Sequence, residues 1–162
     1  NYPVLPNYAL SKIVDKNFRS LGGIKYNLEE VKFAKQIKET FSGDKNHLGS
    51  QEIVQPFKYR QSMGSTDVGD VSWLVPTAGF STATWVPGTP GHSWQAVAAG
   101  GMSIGHKGML RATELLFSTG KELLTTKKLI ESAKQELIQK RGIDFEYSAL
   151  LGDRRPPLDY RQ

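Results

Sequence analysis

The sequence predicts an α/β chain, helix-rich with few strands, that forms one lobe of a larger sheet. Three observations point there. Apolar residues recur at helical spacing over most of the length, through residues 10–21, 28–41, 102–119 and 123–138. The run Phe80-Ser81-Thr82-Ala83-Thr84-Trp85-Val86 is dense in Thr, Phe, Trp and Val and is bounded by Gly79 and Pro87-Gly88, which marks a strand. That strand and a weaker one over residues 52–60 are too few to make a stable sheet alone. The other strands are therefore expected elsewhere.

Taken in order, Asn1-Tyr2-Pro3-Val4-Leu5-Pro6 carries prolines that deny it a helix. Asn7 can cap the helix that follows, in which Leu10, Ile13, Val14, Phe18 and Leu21 share a face, and Gly22-Gly23 ends it. Asn27 and Glu30 make a capping box with Asn in place of Ser or Thr. Leu28, Val31, Ala34, Ile37 and Phe41 then form the buried stripe of a second helix, stopped by Ser42-Gly43-Asp44. Residues 44–51 read as a polar loop in which His47 is a solvated histidine. Residues 67–75 read as a short helix capped by Ser65 or Thr66. Beyond the strand at 80–86, Pro87-Gly88-Thr89-Pro90-Gly91 is a turn and residues 93–99 are helical. Residues 102–119 make a longer helix ending at Gly120, with Gly105 and Gly108 permitting close packing. Residues 122–141 are amphipathic through Leu123, Leu129, Ile130, Ala133, Leu137 and Ile138, and Gly142 ends them. Residues 143–162, with Pro156-Pro157, read as an irregular tail.

Composition narrows the function. At 162 residues the chain is one domain or part of one, and 38% hydrophobic with 23% charged residues describes an ordinary soluble protein. No run approaches the roughly 20 apolar residues that span a bilayer, and no secretory leader pattern is present at Asn1. Zero cysteine removes disulfides, thiolate metal sites and cysteine nucleophiles, in keeping with an expected cytoplasmic location. The net charge of +5 suits an anionic partner. Much of the excess, however, sits over residues 121–141 beside Glu131 and Glu136, as on a solvated helix face. No basic groove interleaved with aromatics is visible, so neither nucleic acid nor membrane is expected as a partner.

The chemistry concentrates between Gly64 and Gly108, which holds all 3 Trp and two of the 3 His. His92 and His106 do not form the helical His-x-x-x-His pair. His92 follows a Gly-Thr-Pro-Gly loop and precedes a helix, a setting that would hold the imidazole rigidly as a metal ligand, although a lone histidine is more often an ordinary loop residue. Ser65 and Ser93 lack the Gly-x-Ser-x-Gly context of a nucleophile. Gly100-Gly101, Gly105 and Gly108 precede no Lys-Ser/Thr pair, so helix packing explains them better than phosphate binding. Gly64-Ser65-Thr66-Asp67 offers amides and hydroxyls at a helix start, suited to a substrate carboxylate. The same residues could equally serve only to cap the helix and complement its dipole.

Gly64-Ser65-Thr66-Asp67-Val68-Gly69-Asp70-Val71-Ser72-Trp73, Pro76-Thr77-Ala78, Gly91-His92-Ser93-Trp94-Gln95 and Gly100-Gly101-Met102-Ser103-Ile104-Gly105-His106-Lys107-Gly108-Met109 together resemble the co-catalytic metallopeptidase family of carboxypeptidase G, aminoacylase and the auxin-conjugate amidohydrolases. The resemblance implies the carboxyl-terminal portion of a three-layer Zn-peptidase-like catalytic domain. Residues 1–6, with Val4-Leu5-Pro6-Asn7, would be the exit from a lid domain, 7–142 the carboxyl-terminal part of the catalytic domain, and 143–162 the tail. It implies hydrolysis of the amide of an N-acyl or N-aroyl amino acid by water activated on two divalent ions, Zn or Mn, with a glutamate as general base. His92 matches the family's last metal ligand, and Gly64, Ser65, Thr66 and Asp67 match its substrate-side turn near the metals.

The family's His-x-Asp, bridging Asp, Glu-Glu pair and next ligand have no counterpart in this sequence, and Ala98-Ala99-Gly100 stands where auxin-conjugate relatives carry a glutamate. The expectation is therefore a fragment of a metal-dependent amidohydrolase, inactive and metal-free alone. Its partner would be the missing amino-terminal half, and the assembly a homo-oligomer. The rival is a non-catalytic binding or assembly module that completes a site with another polypeptide.

Overall fold

The computed structural model describes residues 1–43, 47–59 and 66–159. Among them lie six α-helices: α1 (Tyr8–Leu21), α2 (Leu28–Lys38), α3 (Val68–Leu74), α4 (Trp94–Gly100), α5 (Ser103–Thr125) and α6 (Lys127–Arg141), with a 3₁₀ turn at Ser50–Glu52. The helix-rich expectation holds, and the capping chemistry sets the boundaries. Asn7 is extended and its side-chain oxygen accepts from the Leu10 amide, while Gly22 at φ 74° ends α1. The α2 capping box is complete, with the Glu30 amide on the Asn27 side chain and the Asn27 amide on the Glu30 carboxylate. α1 has no acidic residue in its first turn. Glu136 of α6 takes that place, accepting the Tyr8 and Ala9 amides at 2.7 and 2.6 Å.

Several expectations are corrected. Neither residues 52–60 nor 80–86 form a strand among the described residues; Arg60 itself lies outside them. A strand needs a neighbour to close its ladder. Here Thr84 turns its amide back to the Thr82 carbonyl, and Thr82 spends its hydroxyl on the Gly108 carbonyl. The expected stop of α2 at Ser42-Gly43-Asp44 comes earlier, at Lys38, and Asp44 is outside the described residues. Leu28, placed on the buried stripe, is 89% exposed, because the inward position of that first turn belongs to Glu30. Gly120 does not end α5, which runs on to Thr125. Glu122 is held there by Lys16 and Asn17 of α1, and the break falls instead at Thr126, with φ −129° and ψ 80°.

Two packed regions position the rest. Ala34, Ile37, Val86, Ala99 and Ile104 form a core joining α2, α4 and the start of α5, with Tyr26, Phe33 and Met102 against it. α1 packs on both α5 and α6, burying Ile13, Val14, Leu115, Ala133 and Leu137. Gly108 lets α5 touch the 80–86 segment, since a Cβ there would meet Thr84 and Ala83 at 2.6 and 2.7 Å. The tail is irregular through its described part. Tyr2, Trp73, Phe145 and Tyr147 stack it and the amino-terminal segment onto α3, with Trp73–Phe145 centroids 5.0 Å apart.

Candidate functional site

α3 carries the first candidate element. Gly64 and Ser65 lie outside the described residues. The Thr66 hydroxyl accepts the Val68 amide at 3.3 Å, and Asp67 precedes the helix in αR conformation without a capping bond. Thr66 and Asp67 are both exposed, leaving the Asp67 carboxylate in solvent. The helix behind them is fixed. Ser72 is buried and accepts the Leu5 amide at 2.8 Å, the Trp73 indole donates to the Pro3 carbonyl at 2.8 Å, and Gly69 sits where any side chain would strike the Tyr2 carbonyl.

The His92 loop is the second element. Thr89 returns its amide and its hydroxyl to the Val86 carbonyl at 3.1 and 2.7 Å. Ser93 donates its hydroxyl to the Pro90 carbonyl at 2.7 Å and accepts the Ala96 amide at 3.2 Å, capping α4. Between these anchors His92 takes φ 55°, the one positive φ at a non-glycine among the described residues. That conformation is unfavourable for a side chain with a Cβ, and strain of this kind concentrates where a side chain must be aimed. The ring is exposed and makes no hydrogen bond among the described residues, so both nitrogens are available to an incoming group. His106 on α5 and His47 are also exposed.

Immediately after His106, the chain does structural work that its sequence did not reveal. Glu30 is 1% exposed and receives the Lys107 ammonium, the Ser103 hydroxyl and the Asn27 amide at 2.6, 2.6 and 2.7 Å. Burial alone would raise the Glu30 carboxyl; those donors outweigh it and hold it below its ordinary range. Burial, and then the Glu30 charge, push the neighbouring Tyr26 phenol up to about 12. The capping-box spacing announced Glu30, but nothing local announced Lys107 as its partner.

A cavity of about 1180 Å³ opens between α1, the amino-terminal segment, residues 50–59 and residues 77–83. Phe18, Phe57, Tyr59 and Phe80 give it aromatic walls, Asp15 and Arg111 bring charge, and Thr66 reaches its edge. Asp67 and His92 do not line it. Sequence reading missed this cavity because its walls come from segments far apart in the chain. Among the described residues no three His, Cys, Asp or Glu side chains stand together in a way that could hold a metal ion. No described helix is long and apolar enough to cross a membrane.

No protein-family model matches the chain, and no solved structure matches it. The chain is similar to one of the subunits of p-aminobenzoyl-glutamate hydrolase from Escherichia coli (strain K12), with 32% identity over 157 residues, covering 82% of this chain and 33% of the relative. It thus spans about a third of the length of the curated relative it matches.

Proposed function

We propose that this chain is part of a metal-dependent amidohydrolase that cleaves p-aminobenzoyl-glutamate or a similar N-acyl amino acid in the cytoplasm. The observation that carries the reading is the 32% identity to a p-aminobenzoyl-glutamate hydrolase subunit across most of this chain. The described residues do not make a metal site by themselves, and catalytic zinc sites use about three protein ligands. In this reading His92 is the one ligand the chain contributes, held ready by its strained, doubly anchored loop. The turn of Gly64, Ser65, Thr66 and Asp67 would meet the substrate carboxylate. The remaining ligands and the general base would come from polypeptide equivalent to the two thirds of the relative that this chain does not match. Residues 80–86, rich in β-formers but without a ladder here, would then pair into a sheet completed by that polypeptide.

The test is reconstitution. The chain is mixed with a polypeptide carrying the unmatched portion, in zinc or manganese, and assayed for release of glutamate from p-aminobenzoyl-glutamate. Turnover that appears only in the mixture and vanishes in His92→Ala supports the reading. A tight complex without turnover would favour the rival, a non-catalytic module that completes a binding site with another polypeptide.

A further inference from the structure

Gln95 closes the run Gly91-His92-Ser93-Trp94-Gln95, and nothing in the proposed activity uses it. It lies in the first turn of α4 and is 8% exposed. A buried side-chain amide is kept where a partner meets it. Gln95 donates from Nε2 to the Thr40 hydroxyl oxygen at 3.1 Å, across 55 residues of sequence. Thr40 stands just beyond the end of α2 and donates its own hydroxyl to the Ile37 carbonyl at 2.7 Å, so this relay ends on backbone. On the other flank of the His92 loop, Lys38 donates from Nζ to the Pro87 carbonyl at 3.3 Å. Between the two flanks Ile37 and Val86 are buried in one core. The end of α2, over residues 37–40, therefore grips the loop on both sides of His92. The bonds of Thr89 and Ser93 are local, to Val86, Pro90 and Ala96, and close the loop only on itself.

We infer that Gln95 and Thr40 are positioning residues for His92. Their hydrogen bond seats the loop on α2 and holds His92 at φ 55° with its ring exposed. A left-handed conformation at a residue with a Cβ persists only where its surroundings over-determine it. The local bonds fix the shape of the loop, and the seat on α2 fixes its place in the fold. This inference deepens the proposed function and rests on it for the role of His92. A ligand loses metal affinity, typically by about 10–100-fold, when the groups that orient it are removed.

The test has two arms. In the full chain alone, the nuclear Overhauser effect between the amide hydrogen and Hα of His92 reports the sign of φ, since these two hydrogens are closest at positive φ. Thr40→Val and Gln95→Leu should each weaken that cross-peak while leaving the helical circular dichroism unchanged, and Thr40→Ser, which keeps the hydroxyl, should retain it. The double variant should lose no more than either single one, because both remove the same bond. In the mixture with the unmatched polypeptide, Thr40→Val should weaken binding of zinc by at least about tenfold, and Thr40→Ser should restore it. A cross-peak unchanged in both Thr40→Val and Gln95→Leu overturns the inference, and so does a loss that Thr40→Ser shares. The first arm needs neither metal nor partner, so its failure strikes this inference alone. Metal content of the mixture left unchanged by His92→Ala would instead overturn the reading of His92 on which it rests.

Discussion

His92 and Glu30 carry opposite kinds of constraint. The positive φ of His92 is a cost the fold bears without any hydrogen bond or ion pair of its ring among the described residues in return. His92→Gly should therefore raise the unfolding free energy, by up to about 1 kcal/mol, in chemical denaturation. In the reconstituted enzyme the same variant should lose one bound ion by metal analysis. His92→Ala should lose the ion as well, without the gain in stability. A destabilised glycine variant would show that the loop is not strained. Glu30 is the reverse, a buried carboxylate whose donors are all supplied. Its folded pKa lies below the ordinary 4.5. The stability it lends is thus complete above the unfolded pKa and is lost as pH falls through the lower folded value. Glu30→Gln should cost about 2–3 kcal/mol near neutrality, because it strips Lys107 of its charge partner while Lys107 stays partly solvated. Its urea midpoint should also fall less steeply with acidification than that of the unchanged chain. Equal slopes would mean that Glu30 is not held ionised. The sequence named His92 as a candidate through its loop chemistry, but its φ and its solvent exposure are properties of the fold around it.

At the scale of elements, what the sequence made legible was whatever a helix decides locally. Asn7, the Asn27–Glu30 box, Gly22 and Gly142 set boundaries within a few residues of their own position, and each does so in the structure. Two of the misreadings involve distant partners. Gly120 reads as a stop, but Lys16 and Asn17 of α1 hold Glu122 and carry α5 through it. Residues 80–86 read as a strand, but no neighbouring strand among the described residues completes a ladder. Gly105 and Gly108 read correctly as close-packing positions, and the spacing is tight enough to test. Gly108→Ala must push Thr84 and the Ala83 carbonyl away from contacts of 2.6 and 2.7 Å, one of them with backbone. Although alanine is the better helix former, thermal melting should show Gly108→Ala destabilised by about 1–3 kcal/mol. A variant as stable as the parent would mean that the 80–86 segment yields easily and does not rest on α5.

For the whole molecule, the supply of ligands decides what the chain can do alone. Hydrolysis of an amide by metal-activated water needs an ion held by several side chains and a base to take the proton. Among the described residues no such cluster exists, and His92 stands in solvent. An exposed imidazole alone competes poorly with water for zinc or manganese. The chain by itself is therefore expected to show no release of glutamate from p-aminobenzoyl-glutamate at any added metal concentration, and a metal titration should find no tight site. Its helices should fold regardless, because their cores close within the chain: Ala34, Ile37, Val86, Ala99 and Ile104 on one side, Ile13, Leu115, Ala133 and Leu137 on the other. Circular dichroism of the isolated chain should thus be strongly helical with a cooperative melt, alongside the absent turnover. The pairing of these two results matters, since an unfolded chain would be inactive for a trivial reason. Turnover by the isolated, folded chain that is abolished in His92→Ala would show that it assembles a complete site without other polypeptide, and would overturn the division of ligands proposed for it.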